Sequence, residues 1–180
     1  MKKNFFLLLL VIAFADTEAQ IYTTRNGFAG FYSKTPLEDI RAENKQVYAV
    51  IDAGGKNLAF NLLVKGFSFP KKLMQEHFNE NYIESDKYPN AKFSGSYAGD
   101  VDINKNGVYN VQVSGQLTLH GVTKAITVPA TIEVKEGKLI GKSEFKLIPS
   151  DFNIKIPSIV REKIAQQIDV RILVECNPTK

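Results

Sequence analysis

Between Tyr109 and His120, apolar and polar side chains alternate without a break. Tyr109, Val111, Val113, Gly115, Leu117 and Leu119 fall on one face, and Asn110, Gln112, Ser114, Gln116, Thr118 and His120 on the other. Successive side chains of an extended chain point to opposite faces, so this run predicts an antiparallel strand with one face buried and one wet. A second run, with Ile126, Val128, Ala130, Ile132 and Val134 set against Thr127, Thr131, Glu133 and Lys135, repeats the pattern after a short polar turn. Glu136-Gly137 is a hairpin signal, and Lys138 to Leu147 returns as a third strand. The last strand, Gln167 to Glu175, sets Ile168, Val170, Ile172 and Val174 against Gln167, Asp169, Arg171 and Glu175.

The N-terminal half predicts shorter strands over Phe28 to Ser33, Gln46 to Asp52 and Asn57 to Lys65, with Ala53-Gly54-Gly55-Lys56 as a loop. Asn104-Lys105-Asn106-Gly107 is another hairpin turn. About eight to nine strands at regular spacing predict an all-β antiparallel barrel or sandwich, in one domain over residues 20–180. One segment breaks the period. From Lys71 to Ile83, Leu73, Met74, His77, Phe78, Asn81 and Tyr82 share a helical face, leaving Gln75, Glu76, Asn79 and Glu80 outward. Pro70 suits the start of this amphipathic helix, and Pro89 bars its continuation. Its apolar face must be buried, and the open end of a barrel is the natural place.

Composition then narrows the setting. Lys2 and Lys3 precede the apolar run Phe5 to Ala15, and Thr17-Glu18-Ala19 offers small residues at the −3 and −1 positions of a cleavage site. Residues 1–19 therefore read as a secretory signal peptide, with Gln20 as the new N-terminus and a periplasmic or secreted, soluble product. The run is shorter than the roughly 20 residues a membrane span needs. A single cysteine, Cys176, cannot make an internal disulfide, so it reads as a small apolar residue near the end of the last strand. The net charge of +4 is scattered, without an Arg-rich run interleaved with aromatics, which argues against nucleic acid. A weak pull toward an anionic membrane surface is compatible with that charge.

Candidate chemistry is sparse. His77 lies in Glu76-His77-Phe78-Asn79-Glu80, which lacks the second histidine of a zinc HExxH site, and His120 precedes Gly121 at a strand end, where it reads as a turn residue. No cysteine or carboxylate cluster sits at metal-ligand spacing, and the Asp and Glu residues fall at strand ends or loops. Ser150 and Ser158 lack a Gly-x-Ser-x-Gly setting. No nucleophile, base and orienting group come together, so the expectation is a non-enzyme without metal or cofactor.

The barrel interior is then the candidate site. Gly115, Ala130, Gly141 and Ser143 sit in apolar-face register and leave room, while Phe67, Phe69, Phe78, Tyr82, Tyr88 and Phe93 gather near the helix beside the flexible Met74. An eight-stranded barrel is wide enough either to be filled by its own side chains or to hold one small ligand, and these residues alone leave both open.

The stretches Leu73 to Gly95 and Gln116 to Pro129 resemble the YceI-like family, as do Ser33 to Ile40 and Phe145 to Ile156 with its Pro149-Ser150-Asp151-Phe152. Of that family's Arg-Asp and His-Leu pattern at the helix, only His77 and the apolar Phe78 carry over. The resemblance implies a lipocalin-like barrel with one helix beside a cavity that binds a long apolar lipid, such as a polyisoprenoid, a quinone tail or a fatty-acid-like chain. With the strand register, it makes Phe67, Phe69, Met74, Phe78, Tyr82, Phe93, Leu117, Leu119 and Phe145 the expected cavity and mouth residues. The alternatives are a filled barrel that binds a protein partner, and a barrel enzyme acting on a small apolar substrate.

Overall fold

The computed structural model describes residues 20–160 and 162–179, so the expected signal peptide, residues 1–19, lies outside the described residues. Eight antiparallel strands follow one another around a closed barrel: β1 (Ile21–Lys34), β2 (Asp39–Asp52), β3 (Asn57–Leu63), β4 (Asn90–Ala98), β5 (Gly107–Leu119), β6 (Val122–Lys135), β7 (Lys138–Leu147) and β8 (Ile168–Pro178), with β8 pairing back onto β1. Closure gives every strand a ladder partner on each side. The short helix α1 (Lys72–His77) lies between β3 and β4, as the change of period predicts.

The turns explain why this order forms. His120 and Gly121 have φ of 51° and 74°, and Glu136 and Gly137 have φ of 50° and 74°. Two successive left-handed residues twist a two-residue turn to match the strands it joins, so β5, β6 and β7 follow as a tight meander. The β5–β6 ladder runs unbroken from Gly107↔Val134 to Leu119↔Val122, and β6 therefore starts earlier than its clearest alternation indicates.

β1 and β2 are each 14 residues long, well beyond the expected Phe28 to Ser33 and Gln46 to Asp52. The register between them slips at Thr24/Gly27 and again at Gly27/Ala29. A bulge puts two residues opposite one and throws the alternation out of phase, which hides the rest of the strand from a period-two reading. Asn44, in the irregular stretch of β2 and only 1% exposed, donates from Nδ2 to the Leu63 carbonyl at 2.9 Å and accepts from the Gln46 N–H at 2.8 Å. Its satisfied amide ties β2 to the point where the chain leaves β3.

One half of the barrel is filled. Tyr22, Ile51, Leu58, Tyr97, Val111, Val134, Leu139 and Cys176 belong to one buried cluster, and Val101 and Ile103 of the β4–β5 connection pack against it. Gly95 and Gly115 face each other across β4 and β5. A Cβ on Gly115 would lie 2.3 Å from the Ser94 carbonyl oxygen and 2.6 Å from Cζ of Phe93; one on Gly95 would lie 2.2 Å from the Ser114 carbonyl. These glycines let two backbones and an aromatic ring come together. Gly141 is likewise covered, by Val174 at 3.1 Å from a would-be Cβ. The expectation that Gly115, Ala130, Gly141 and Ser143 open a cavity is therefore corrected: none of them lines one, and at Gly115 and Gly141 neighbouring atoms occupy the space.

Gly115→Ala is expected to destabilise the protein by about 3 kcal/mol, because its methyl would overlap backbone that cannot move aside. Gly137→Ala, with nothing within 4 Å of the new methyl, should cost about 1 kcal/mol through its left-handed backbone alone. Urea denaturation of the two variants checks the contrast.

Cys176 is fully buried, and burial pushes its thiol up to about 12. It should ignore a disulfide-exchange reagent at pH 8 in the native state and react at once in denaturant. In the unfolded chain the thiol ionises near its ordinary value, while the native state keeps its proton. Stability from this group is thus full below about pH 9 and falls as pH rises toward 12. Tyr97, raised by burial and then by the charge of Asp52, adds to the same alkaline loss. Thermal melts between pH 8 and 11 test the direction.

Candidate functional site

The other half of the barrel is hollow. After β3 the chain turns through Val64–Gly66 and runs back along β2, where the Ser68 N–H donates to the Glu43 carbonyl at 2.8 Å and the Glu43 N–H to Ser68 at 3.1 Å. With Ser68 exposed, period two puts Phe67 and Phe69 on the barrel side. α1 then lasts only six residues before the helix widens, and the Ile83 N–H donates to the Phe78 carbonyl, five residues back, at 2.9 Å. Such widened turns within helices occur often at functional sites. The amphipathic helix expected from Lys71 to Ile83 is thus one regular turn and a half followed by a wider one. Asn79, expected outward, is half-buried, with its Nδ2 donating to the Gln75 carbonyl at 2.9 Å.

Four phenylalanines anchor this cover. Phe31 of β1 meets Phe67, Phe78 and Phe69 at ring-centroid distances of 5.2, 5.5 and 5.8 Å, and Phe78 meets Phe69 at 5.1 Å and Phe67 at 5.8 Å. Edge-to-face and tilted contacts at these separations each add about 0.5–1.5 kcal/mol beyond area burial. On the opposite side the connection from β7 to β8 brings Ile154, Ile156, Val160 and Ile164 over the opening, and the Ala165 N–H donates to Oγ of the buried Ser33 at 2.8 Å.

Beneath these two covers lies a cavity of about 520 Å³. Phe67, Phe69, Met74, Phe78 and Tyr82 line it from the cover, and Leu117, Leu119 and Phe145 from the strands. Burial raises the Tyr82 phenol above its ordinary value. Phe93, the ninth residue expected here, lies in the filled half instead, with its ring over Gly115 and 6.2 Å from that of Phe60. Leu73 also lines the cavity while 61% exposed, which places it at the mouth. Sequence reading missed Phe31, Ile40, Leu62 and Ala91, and all four β7–β8 apolar residues. Phe31 lies in the strand expected from Phe28 to Ser33, but it and its neighbour Tyr32 are both aromatic and half-buried, so alternation gave no signal to single it out. The β7–β8 stretch has neither helical nor strand period and carried none.

Charge enters only at the rim. Lys71 donates from Nζ to Oε1 of Glu38 at 2.9 Å, and Lys163 of the β7–β8 connection is also a lining residue. The Lys71 hydrogen bond first, and then the charges of Lys71 and Lys163, hold the Glu38 carboxyl below the usual carboxylate range against the opposing effect of burial. Thr35 shapes the turn that presents Glu38, accepting its N–H at Oγ1 at 3.1 Å.

His120 has a structural role. Its Nδ1 lies 3.0 Å from the Phe152 carbonyl and its Nε2 2.8 Å from Glu84 Oε2, and the Tyr88 ring packs edge-on against it at 4.5 Å. It is 8% exposed and does not line the cavity. The β5–β6 turn thereby joins the segment after the helix to the segment after β7. His77 lines the cavity, with no hydrogen bond to a carboxylate among the described residues. Among the described residues, no group of three or more His, Cys, Asp or Glu residues could hold a metal ion, and no helix is long and apolar enough to cross a membrane.

Comparison with known proteins agrees with this architecture. The family model of the YceI-like domain matches residues 13–176. A UPF0312 protein of Pseudomonas fluorescens is 37% identical over 60 residues, a stretch that covers 33% of this chain and 30% of that relative's length. Among solved structures, a polyisoprenoid binding domain from Saccharophagus degradans superposes with a TM-score of 0.76 at 12% identity, covering 90% of this chain and 100% of that one. Burkholderia cenocepacia BcnA gives 0.70 at 18% identity, covering 83% and 95%, and a Campylobacter jejuni YceI protein gives 0.54 at 18% identity, covering 100% and 94%. At these identities the structures establish a shared fold.

His120→Ala is expected to destabilise the protein by about 2–3 kcal/mol, since it orphans a buried carbonyl and a carboxylate together. His120→Asn tolerates the left-handed backbone and should lose less. Urea melts compare the two, and faster amide exchange over residues 78–88 would locate the loosening.

Proposed function

This chain belongs to the YceI-like family, and we propose that its barrel binds a long apolar lipid, as an exported carrier or storage protein. The observation that carries this reading is the half-filled barrel. A folding chain that packs one end around Cys176 and Leu139 leaves about 520 Å³ of largely apolar space at the other. Wall atoms facing such a void forgo their dispersion contacts until something apolar enters. Burial at roughly 0.8 kcal/mol per methylene supports nanomolar affinity for a chain of about 15 to 20 carbons, even after several kcal/mol of ordering cost. The site then selects chain length and width, and the helix borders its mouth. A polyisoprenoid, the ligand class of the Saccharophagus domain, is one candidate chain. A quinone tail and a fatty-acid-like chain obey the same physics.

Binding without catalysis suits the site better than turnover. Among the described residues His77 has no carboxylate partner, and His120 is committed to Glu84 and Phe152. A filled barrel serving only as a protein-binding surface would have side chains where this one has space. The reading places the mature chain, from Gln20, outside the cytoplasmic membrane.

Native mass spectrometry of the full chain expressed with its export segment should show a co-purifying apolar lipid at one per chain and a polypeptide beginning at Gln20. Ala91→Phe, on the cavity wall of β4, should abolish that adduct with little loss of stability. Phe78→Ala should weaken retention by about tenfold through lost apolar contact. A clean unliganded mass, unchanged after incubation with isoprenols, quinones and fatty acids, would overturn the proposal.

A further inference from the structure

The rim supplies a head-group preference. Three elements distant in sequence converge there: Glu38 from the β1–β2 turn, Lys71 from the start of the helix, and Lys163 from the β7–β8 connection. Glu38 is the single carboxylate among the described residues lining the cavity, and it already holds Lys71 at 2.9 Å. Two ammonium groups thus stand at the rim against one carboxylate, and the rim keeps a positive excess beside a largely apolar interior. An ammonium at a partly desolvated rim gains most from an anion that arrives already tethered, because the chain's burial meets the cost of bringing the head there.

Building on the lipid-binding reading above, we propose that the ligand is a single-chain lipid with an anionic head, carboxylate or phosphate, seated between Lys71 and Lys163. Glu38 competes with that head for the same cations and sets its affinity.

The test is calorimetric titration of the delipidated full-length mature protein with three matched series. These are unbranched carboxylic acids of rising chain length, the corresponding primary alcohols, and the alkyl phosphates. Affinity for the acids should rise with each added carbon and level off once the cavity is filled. At that length the acid or the phosphate should bind about three- to tenfold tighter than the alcohol at low salt, with the gap closing as salt rises. Whichever anion binds tighter identifies the head. Lys71→Met with Lys163→Met should erase the gap and its salt dependence, and Glu38→Gln should widen it by about two- to fivefold.

An alcohol that binds as tightly as its acid, or a Glu38→Gln variant that binds the acid more weakly, would overturn the head-group assignment and leave the apolar-lipid reading standing. Failure of every series to bind would instead refute the lipid-binding reading itself.

Discussion

Closing eight strands into a ring creates an interior that side chains must fill or leave to a guest, and this chain does both. The division depends on the close approach of β4 and β5 at Gly95 and Gly115, where no Cβ stands between the two backbones. Phe93 lays its ring into the space over Gly115, and Tyr97, Ile51 and Leu139 build the buried cluster around it. That packed end supplies the cooperative core of the domain. The opposite half is then free to stay open, because stability does not rest on it.

The cover of the open half is made differently. α1 has six residues and none of them is buried, and an isolated helix of that length is unstable in water. It is held by the phenylalanines at 31, 67, 69 and 78, while the segment that follows it is fastened by Glu84 to His120. The β7–β8 connection is fastened to the same histidine through the Phe152 carbonyl, and to β1 through Ser33. Few ladder hydrogen bonds cross these segments, so they are expected to open more readily than the laddered ring beneath them. That is the arrangement a cavity needs if its guest must pass through the cover.

Much of this was written in the chain's periodicity. A sheet with one wet face and one buried face imposes alternation, so β5 to β8 and their glycine turns could be read directly, and the shift of period marked the helix. Phe67, Phe69, Met74, Phe78 and Tyr82 could be placed near the mouth because they cluster around that helix, and Leu117, Leu119 and Phe145 because they occupy inward register. Where a bulge breaks the phase, as in β1 and β2, the same logic stopped short of the true ends.

Local pattern reports which face a side chain takes, and nothing about what stands across from it. Gly115 read as empty space because its face was known and its neighbour was not; the ring of Phe93 and the carbonyl of Ser94 fill that space. His120 read as a turn residue, which its φ of 51° bears out, yet its bonds to Glu84 and Phe152 join segments that only folding brings together. The meeting of Glu38 with Lys71 and Lys163 is of the same kind. Alternation and turn chemistry act between near neighbours and are recorded in the order of residues. Whether a barrel's interior is filled or hollow depends on the sum of volumes across its diameter, and no stretch of the chain contains that sum.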